Sequence, residues 1–276
     1  MDNKKNMVVY KNELNTVVLK DFTSTEFDLL HAIILNMKDR RLDEVKFTFR
    51  ELKQLSRYNK KNAIESFVKD LESTYDKLIN LNVKIGTTKK WTKFVFFTKY
   101  GVDIENQIIT IALNKEFSHL INDISKQFTQ FELEELTSLK SIYSKCLYRQ
   151  LKQYRKTGYV ILKMEDFRRI LSVPKTYKTG HIDQKILKPA TKELSKFFKN
   201  LRYEKRKEDP DDKRKVTHIE FFFKNEDDLE SGVGVFRDDN GKYYERHIKD
   251  FDEKEIKASY PESPESNLNF NITKKL

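Results

Sequence analysis

Cysteine occurs once in the 276 residues, at Cys146. A lone thiol cannot close an internal disulfide, which points to a reducing, cytoplasmic setting. Cys146 lies among Tyr143, Leu147 and Tyr148 at helical spacing and reads as a small buried hydrophobe. Long hydrophobic runs are also missing. No stretch of 18 apolar residues is present, so no transmembrane helix is expected. The opening MDNKKNMVVY lacks the apolar core of a signal peptide. No GxxxxGK[ST] loop appears, which argues against an ATPase. The five histidines, His31, His119, His181, His218 and His247, form no His-x-His pair, so nicking chemistry of the rolling-circle kind has no metal pair to use. His119 has no ligand partner at i+4, and adjacent acids such as Glu134 and Glu135 read as solvated helix surface. The expectation is a chain that is not an enzyme and takes no metal or cofactor.

What is present is charge and aromatic bulk. Charged residues make up 35% of the chain and hydrophobic residues 38%, with 20 Phe and 13 Tyr to fill two small cores. The net charge of +11 is uneven. Residues 224–276 carry 9 basic and 13 acidic residues, a balance of −4; the other 223 carry 45 and 30, a balance of +15. A basic body with an acidic tail favours a polyanionic partner.

Residues 1–22 alternate through Val8, Tyr10, Val17 and Leu19, as a short strand or extended arm. Thr23 with Glu26 three residues on is a capping box, opening a helix to Met37 with Phe27, Leu30, Ile33, Ile34 and Met37 on its apolar face. KFTF alternates briefly and RELKQLS turns helical. A helix from about Lys60 to Asn80 follows, with Ile64, Phe67, Val68, Leu71, Tyr75 and Leu78 inward. Its other face begins with Lys60, Lys61, Asn62 and Lys69. Strand-like runs come next (LNVKIG, WTKFVFFTKYG, QIITIAL), the first two joined by GTTKKWTK with Lys89 and Lys90. Helices followed by a sheet with a basic loop are the winged-helix arrangement, and the loop would be the wing.

KQFTQFELEELTSLKS lacks Pro and Gly, so a packed hinge near 122–130 is expected, running into one long helix through about Tyr154. The second half then repeats the order of the first. Gly158 ends the helix, Tyr159–Leu162 is a strand, and Met164–Leu171 is a helix stopped by Pro174. TYKTGHID is a turn. The candidate reading helix spans roughly His181 to Asn200, burying Ile182, Ile186, Leu187, Ala190, Leu194, Phe197 and Phe198. Its outer face carries Asp183, Gln184, Lys185, Lys188 and Lys192, after Lys178, Thr179 and His181. Pro189 inside this span implies either a kink or a short turn before a main helix near Lys188. Two strands joined by EDPDDKR form a second basic hairpin with Lys205, Arg206, Lys207, Lys213, Arg214 and Lys215. In the tail, PESPES and scattered charge predict a mostly disordered acidic segment, with short helical character possible around Tyr244 to Ile256. The expected domains are 1–126, 127–224 and the tail 225–276, in an α+β fold of two tandem winged-helix domains.

At SIYSKCLYRQLKQYRKTG, FRRILSVPKTY and ILKPATKEL the chain resembles the replication initiator (Rep) proteins of iteron-containing, theta-replicating plasmids. The residues that carry the likeness are Tyr143, Ser144, Leu147, Tyr148, Gly158, Arg168, Leu171, Pro174, Leu187, Pro189, Ala190, Glu193 and Leu194. It covers about residues 7–223 and is strongest over 131–223. The stretch DPDDKRKVTHIEF stands where the family usually has a Gly-Arg-Lys turn. The resemblance implies two winged-helix domains that bind repeated double-stranded sites at a plasmid origin. It also implies monomers that open the origin, dimers that repress their own promoter, and host DnaA and the replicative helicase as partners. On the residues themselves, Gln184 suits adenine and Lys185 or Lys188 suits guanine, with Lys178, Thr179, His181 and Lys192 on phosphates. A plasmid or phage transcriptional regulator without initiator activity shares all of these DNA-binding features.

Overall fold

The computed structural model describes residues 6–225, apart from 39–43, 61–62, 80–82, 87–88, 123 and 125–126, together with 233–237 and 243–247. Two three-stranded antiparallel sheets, each served by helices, organise it. The first unit opens with strand β1 (Met7–Lys11) and a 3-10 turn (Asn12–Thr16), then helix α1 (Ser24–Met37). The expected capping box starts α1. Thr23 Oγ1 accepts from the Glu26 amide at 3.2 Å, and the Glu26 carboxylate accepts from the Thr23 amide at 2.7 Å. Phe27, Leu30, Ile33, Ile34 and Met37 are buried, each contributing about 1.5–3 kcal/mol over leaving it exposed. His31 is buried too, its Nδ1 2.7 Å from the Phe27 carbonyl. Burial and the nearby Arg149 and Lys145 charges push its pKa well below the usual imidazole value.

Strand β2 (Val45–Thr48) leads into α2 (Phe49–Leu55), started by a second capping box between Thr48 and Glu51. Helix α3 (Ala63–Ile79) follows. It buries Phe67, Val68, Leu71 and Leu78, but Ile64 is exposed, ahead of the point where Tyr75 stacks on Tyr100 of the sheet. Strands β3 (Val83–Gly86) and β4 (Trp91–Phe94) form the expected hairpin. The aromatic run after them is two strands, not one: β4 ends at Phe94 and β5 starts at Phe97. Phe96 turns inward between them and stacks on Phe117 at 4.1 Å. Strands β5 (Phe97–Asp103) and β6 (Ile108–Leu113) pair, and the sheet order is β2-β6-β5. Helix α4 (Lys115–Ile121) is capped by Asn114.

The junction differs from the hinge and long helix read in the sequence. Residues 128–132 form strand β7 (Phe128–Glu132), which pairs antiparallel with β1, Val8 opposite Phe131. This ribbon joins residues on both sides of the expected 126/127 boundary. The helical stretch then breaks into α5 (Leu133–Thr137) and α6 (Ile142–Gln153). The Ser138 hydroxyl donates to the Glu135 carbonyl, and Ser141 accepts from the Tyr143 amide, capping α6. Short hydroxyl side chains that bond nearby backbone end one helix and start the next.

The second unit is β8 (Tyr159–Lys163), α7 (Met164–Ile170), the reading helix, and strands β9 (Arg202–Arg206) and β10 (His218–Phe222), in sheet order β8-β10-β9. Gly158 turns the chain from α6 into β8 with φ +69°. A Cβ there would stand 2.5 Å from the Phe223 carbonyl oxygen. Gly158→Ala should therefore lose about 1–3 kcal/mol through left-handed strain and a backbone clash, read from the denaturant midpoint. No loss would mean the β8–β10 edge shifts freely.

Beyond the second sheet, β11 (Val233–Arg237) and β12 (Tyr243–His247) pair antiparallel, Val233 opposite His247. Strand thus replaces the helical character expected over 244–247, in a stretch whose Tyr243 and Tyr244 favour extended backbone. The remainder of the expected tail lies outside the described residues.

A buried polar layer holds α6 against the first unit. Lys145 is fully buried and donates to Asp28 of α1. Arg149 is also buried. Its Nε donates to the Tyr10 hydroxyl at 2.8 Å and its Nη2 to the Leu14 carbonyl at 2.7 Å. Its guanidinium lies 5.4 Å from the Tyr10 and Phe27 ring centres, so oxygens and π faces offset its charge. Asn15 donates to Thr129 at 2.8 Å and Gln153 at 2.9 Å, and Gln150 donates to the Asn15 carbonyl at 2.9 Å.

Candidate nucleic-acid interface

The reading helix begins after a tight corner. Val173 N–H bonds the Arg168 carbonyl, Ser172 takes φ +51°, and Arg168 donates to the Tyr177 carbonyl at 2.6 Å. Arg168 thus fixes the turn from inside it. Helix α8 (Thr179–Ile182), a π-helical segment (Asp183–Leu187) and α9 (Lys188–Leu194) then run on as one rod. The backbone stays right-handed helical at Ile182, Asp183, Leu187 and Lys188. This settles how Pro189 is accommodated. Proline offers no amide to the ladder and its ring crowds the preceding turn. Lys188 N–H reaches back five residues to the Asp183 carbonyl, and that wider turn makes room for the ring without ending the helix.

Ile182, Ile186, Leu187, Ala190 and Leu194 are buried, while His181, Gln184, Lys185, Lys188 and Lys192 are exposed on one long face. Lys178 is exposed just before it and Thr179 is half-buried at its first turn. Lys185 Nζ sits 4.9 Å from the Tyr177 ring centre, which steadies its long side chain. His181 Nδ1 accepts from the Lys178 amide at 3.4 Å.

Asp183 is the organiser that sequence reasoning passed over as part of the polar face. Its carboxylate accepts from the Tyr203 hydroxyl at 2.8 Å and from Lys205 at 3.0 Å, both on β9, and lies 3.6 Å from Lys188. Partial burial works to raise its pKa, but these partners bring it below the usual carboxylate value. Tyr203, burdened by burial and by donating to Asp183, is pushed up to about 12. The same contacts join the reading helix to the base of the β9–β10 hairpin. Only the spacing of Asp183 from the apolar stripe could have signalled this, and its partner lies 20 positions away.

The β9–β10 hairpin is less positive than its sequence suggests. Arg206 pairs with Glu208 at 3.0 Å and with buried Glu220 at 2.5 Å. Lys215 pairs with Asp209 at 2.5 Å and Arg214 approaches Asp212 at 3.8 Å. Lys207 and Lys213 are exposed. In the first unit, Lys60 is drawn to Asp70 at 2.8 Å, and Asp70 also accepts from Tyr58 at 2.7 Å. Lys69 is exposed beside an open groove lined by Lys20, Asp21, Glu72, Ser73, Asp76 and Lys77. Lys61 and Asn62 lie outside the described residues. Lys89 and Lys90 are exposed ahead of Trp91, which is itself 49% exposed and was not among the expected contacts. The structure gathers Lys178, Thr179, His181, Gln184, Lys185, Lys188 and Lys192 on one helix.

Among the described residues no helix is long and apolar enough to cross a membrane. Residues 7–152 match the family model described as Initiator Replication protein, WH1, and residues 163–223 match Initiator Rep protein, WH2. A protein of Bifidobacterium longum (strain NCC 2705) described as "Probable replication protein rep" is 33% identical over 189 residues, 68% of this chain. The match spans 64% of that relative's length. Among solved structures, the Pi initiator protein in complex with iteron DNA superposes with a TM-score of 0.62 at 16% identity, over 82% of this chain and 100% of that one. The fold is the α+β pair of winged-helix domains read from the sequence.

Proposed function

The chain belongs to the initiator Rep protein family, and from that premise we propose that it binds repeated sites at a plasmid origin and starts theta replication there. It acts in the cytoplasm by binding and deforming duplex DNA, and host proteins carry the catalysis. DnaA and the replicative helicase are the proposed host partners. Dimers repress its own promoter and monomers open the origin.

The observation that carries this reading is the uninterrupted helix Thr179–Leu194 with its single exposed polar face, braced to a hairpin through Asp183. A helix of that kind fits the major groove, whose base edges present distinct donor and acceptor patterns. Gln184 reads adenine and Lys185 or Lys188 reads guanine. Lys178, Thr179, His181 and Lys192 hold phosphates. Lys89, Lys90, Lys69, Lys207 and Lys213 add salt-dependent affinity without sequence preference. Lys60, Arg206, Arg214 and Lys215 would first have to exchange a carboxylate for a phosphate, so their substitution is expected to weaken binding least.

The test uses purified protein and tandem repeats of about 20 base pairs, roughly two DNA turns, from beside its own gene. A repeat-specific shift is expected. No repeat-specific shift, or nicking of supercoiled DNA, would overturn the proposal. Deleting the gene then separates an initiator from a regulator, because only loss of the initiator stops plasmid replication.

A further inference from the structure

The reading face carries a single acid. Among residues 178–192 Asp183 stands against Lys178, Lys185, Lys188 and Lys192. A carboxylate on a surface that meets phosphates repels them. Bracing the hairpin does not require that charge, because a neutral amide oxygen could accept the same Tyr203 hydrogen bond. The place of Asp183 in the helix supplies a reason for it. Lys188 follows Asp183 by five positions, and at 3.6 residues per turn that sets them about 140° apart around a regular α-helix. Here the turn is wider. The Lys188 amide bonds the Asp183 carbonyl, and the extra residue in that turn brings the Lys188 ammonium to 3.6 Å from Asp183 Oδ2. Oδ1 takes the Lys205 ammonium at 3.0 Å and the Tyr203 hydroxyl at 2.8 Å. One carboxylate thus holds two lysines, one from the helix and one from β9. Lys185 lies over the Tyr177 ring instead. Burial works against ionisation of Asp183, but the Tyr203 and Lys205 bonds and both ammoniums bring its pKa below the usual carboxylate value, so the charge is in place at neutral pH.

We propose that Asp183 is a specificity-determining residue: it stands in for a phosphate and keeps Lys188 and Lys205 off the DNA backbone, so that base contacts by Gln184 and Lys185 decide where the reading helix binds. Non-specific affinity grows with each phosphate neutralised, and discrimination is the difference between two affinities. A lysine that must first leave a carboxylate adds little on random DNA. On a repeat, base contacts fix the helix, and Lys188 faces the groove rather than the strands. On random DNA nothing fixes the helix, and a released lysine finds a phosphate. The same hold assigns the guanine contact. Of the two candidates, Lys188 lies beside a carboxylate and Lys185 over an aromatic ring, so Lys185 is the reader. This inference rests on the proposed function, because it assumes that the helix faces DNA.

The test compares the full-length protein with Asp183→Asn on the repeat duplex and on a random duplex of the same length, over a range of salt. Asparagine keeps the size and an oxygen for Tyr203 but drops the charge. Random-duplex binding should tighten by about tenfold, and its log–log salt slope should steepen by about 1–2, as up to two lysines gain phosphates. Repeat binding should change by less than about threefold, so the ratio of the two affinities falls. Adding Lys188→Gln and Lys205→Gln to Asp183→Asn should return the random-duplex slope to the wild-type value. An unchanged ratio, an unchanged random-duplex slope, equal weakening on both duplexes, or a slope that stays steep in the triple variant would each overturn the inference. If Asp183→Asn fails to fold, Lys205→Gln decides: it leaves the carboxylate in place and should not alter the random-duplex slope, whereas Lys192→Gln should lower it by about 1. An equal drop in those two variants would overturn the inference. Repeat binding by the wild type separates the two claims. If repeats bind and Asp183→Asn keeps the ratio, this inference alone fails. If the wild type shows no preference for repeats, the proposed function falls, and the random-duplex slope still decides whether Asp183 restrains the two lysines.

Discussion

Truncating Lys145 to alanine is expected to lower folding stability by about 3–5 kcal/mol, the usual cost of breaking a buried ion pair from one side. Lys145 is wholly buried and Asp28 nearly so, and the pair links α6 to α1. Without the ammonium, the buried Asp28 carboxyl loses its ion-pair partner, and His31, whose pKa burial pushes well below the usual imidazole value, cannot take over as a cation. Denaturant midpoints should fall with an unchanged slope. The double replacement Asp28→Leu with Lys145→Met should regain most of the loss, because it removes both desolvated charges together. A single-variant loss under about 1 kcal/mol would show that the pair is open to water.

The same pair sets a pH response. Burial is the main cause of both shifts and outweighs the mutual attraction: it pushes the Asp28 carboxyl up to about 7 and the Lys145 ammonium down. An unfolded Asp28 titrates near 3.8. Between those values the folded protein holds a proton that the unfolded chain has released, so the contribution of Asp28 declines as pH rises through that window. Two residues earlier, Glu26 behaves oppositely. It too is buried, but bonds from Lys77, Ser73 and Thr23 overcome that and lower its pKa. Its contribution is present above its unfolded value of 4.5 and is lost as pH falls through the lower folded value. Stability of Asp28→Asn, measured from about pH 4 to 7, should lack the decline attributed to Asp28. Parallel curves for the two proteins would sink the assignment.

The largest effect on DNA is expected from Lys185→Glu. Lys185 is exposed at the middle of the reading face and is steadied over Tyr177 rather than tied to an acid. Losing a base contact costs about 1–3 kcal/mol, and a carboxylate facing phosphates adds repulsion, so affinity for the repeats should fall by roughly 100-fold or more. Lys185→Ala should lose only the base term, and only on the repeats. Equal weakening on random DNA would make Lys185 a phosphate contact. Melting curves of both variants should match wild type, because the side chain lies outside the core.

What could be read in the sequence followed from range. The capping boxes at Thr23 and Thr48 depend on residues three apart, and the one at Thr23 was legible. So were the apolar stripe from Ile182 to Leu194 and both hairpins, whose periodicity is local. The break between α5 and α6 was missed because the apolar positions keep helical spacing across Ser138–Ser141, and only the hydroxyl bonds end the helix. Pro189 is legible as a conflict inside the helix, but the wide turn that accommodates it, closed by the Lys188 amide on the Asp183 carbonyl, has no signal in the local pattern. The Asp28–Lys145 pair was out of reach, with partners 117 positions apart. In the candidate site, the exposed row from His181 to Lys192 follows from local spacing, whereas the carboxylates that occupy Lys60, Arg206, Arg214 and Lys215 are set by the fold around them.

The β1–β7 ribbon has a consequence in time. Val8 and Tyr10 have their strand partners at Phe131 and Thr129, and Asn15 bonds Thr129 across 114 positions. A ribosome adding about 5–20 residues per second needs roughly 6–23 s to make that intervening length. Until then the first strand leaves the exit tunnel with an open edge and two apolar side chains that have nothing to cover them. The amino-terminal winged helix therefore cannot close ahead of synthesis, and α6, which carries Lys145 and Arg149, must emerge before either unit is sealed. Nascent chains stalled before residue 128 should be protease-sensitive at β1, and those stalled far enough beyond residue 153 to free α6 from the tunnel should be protected.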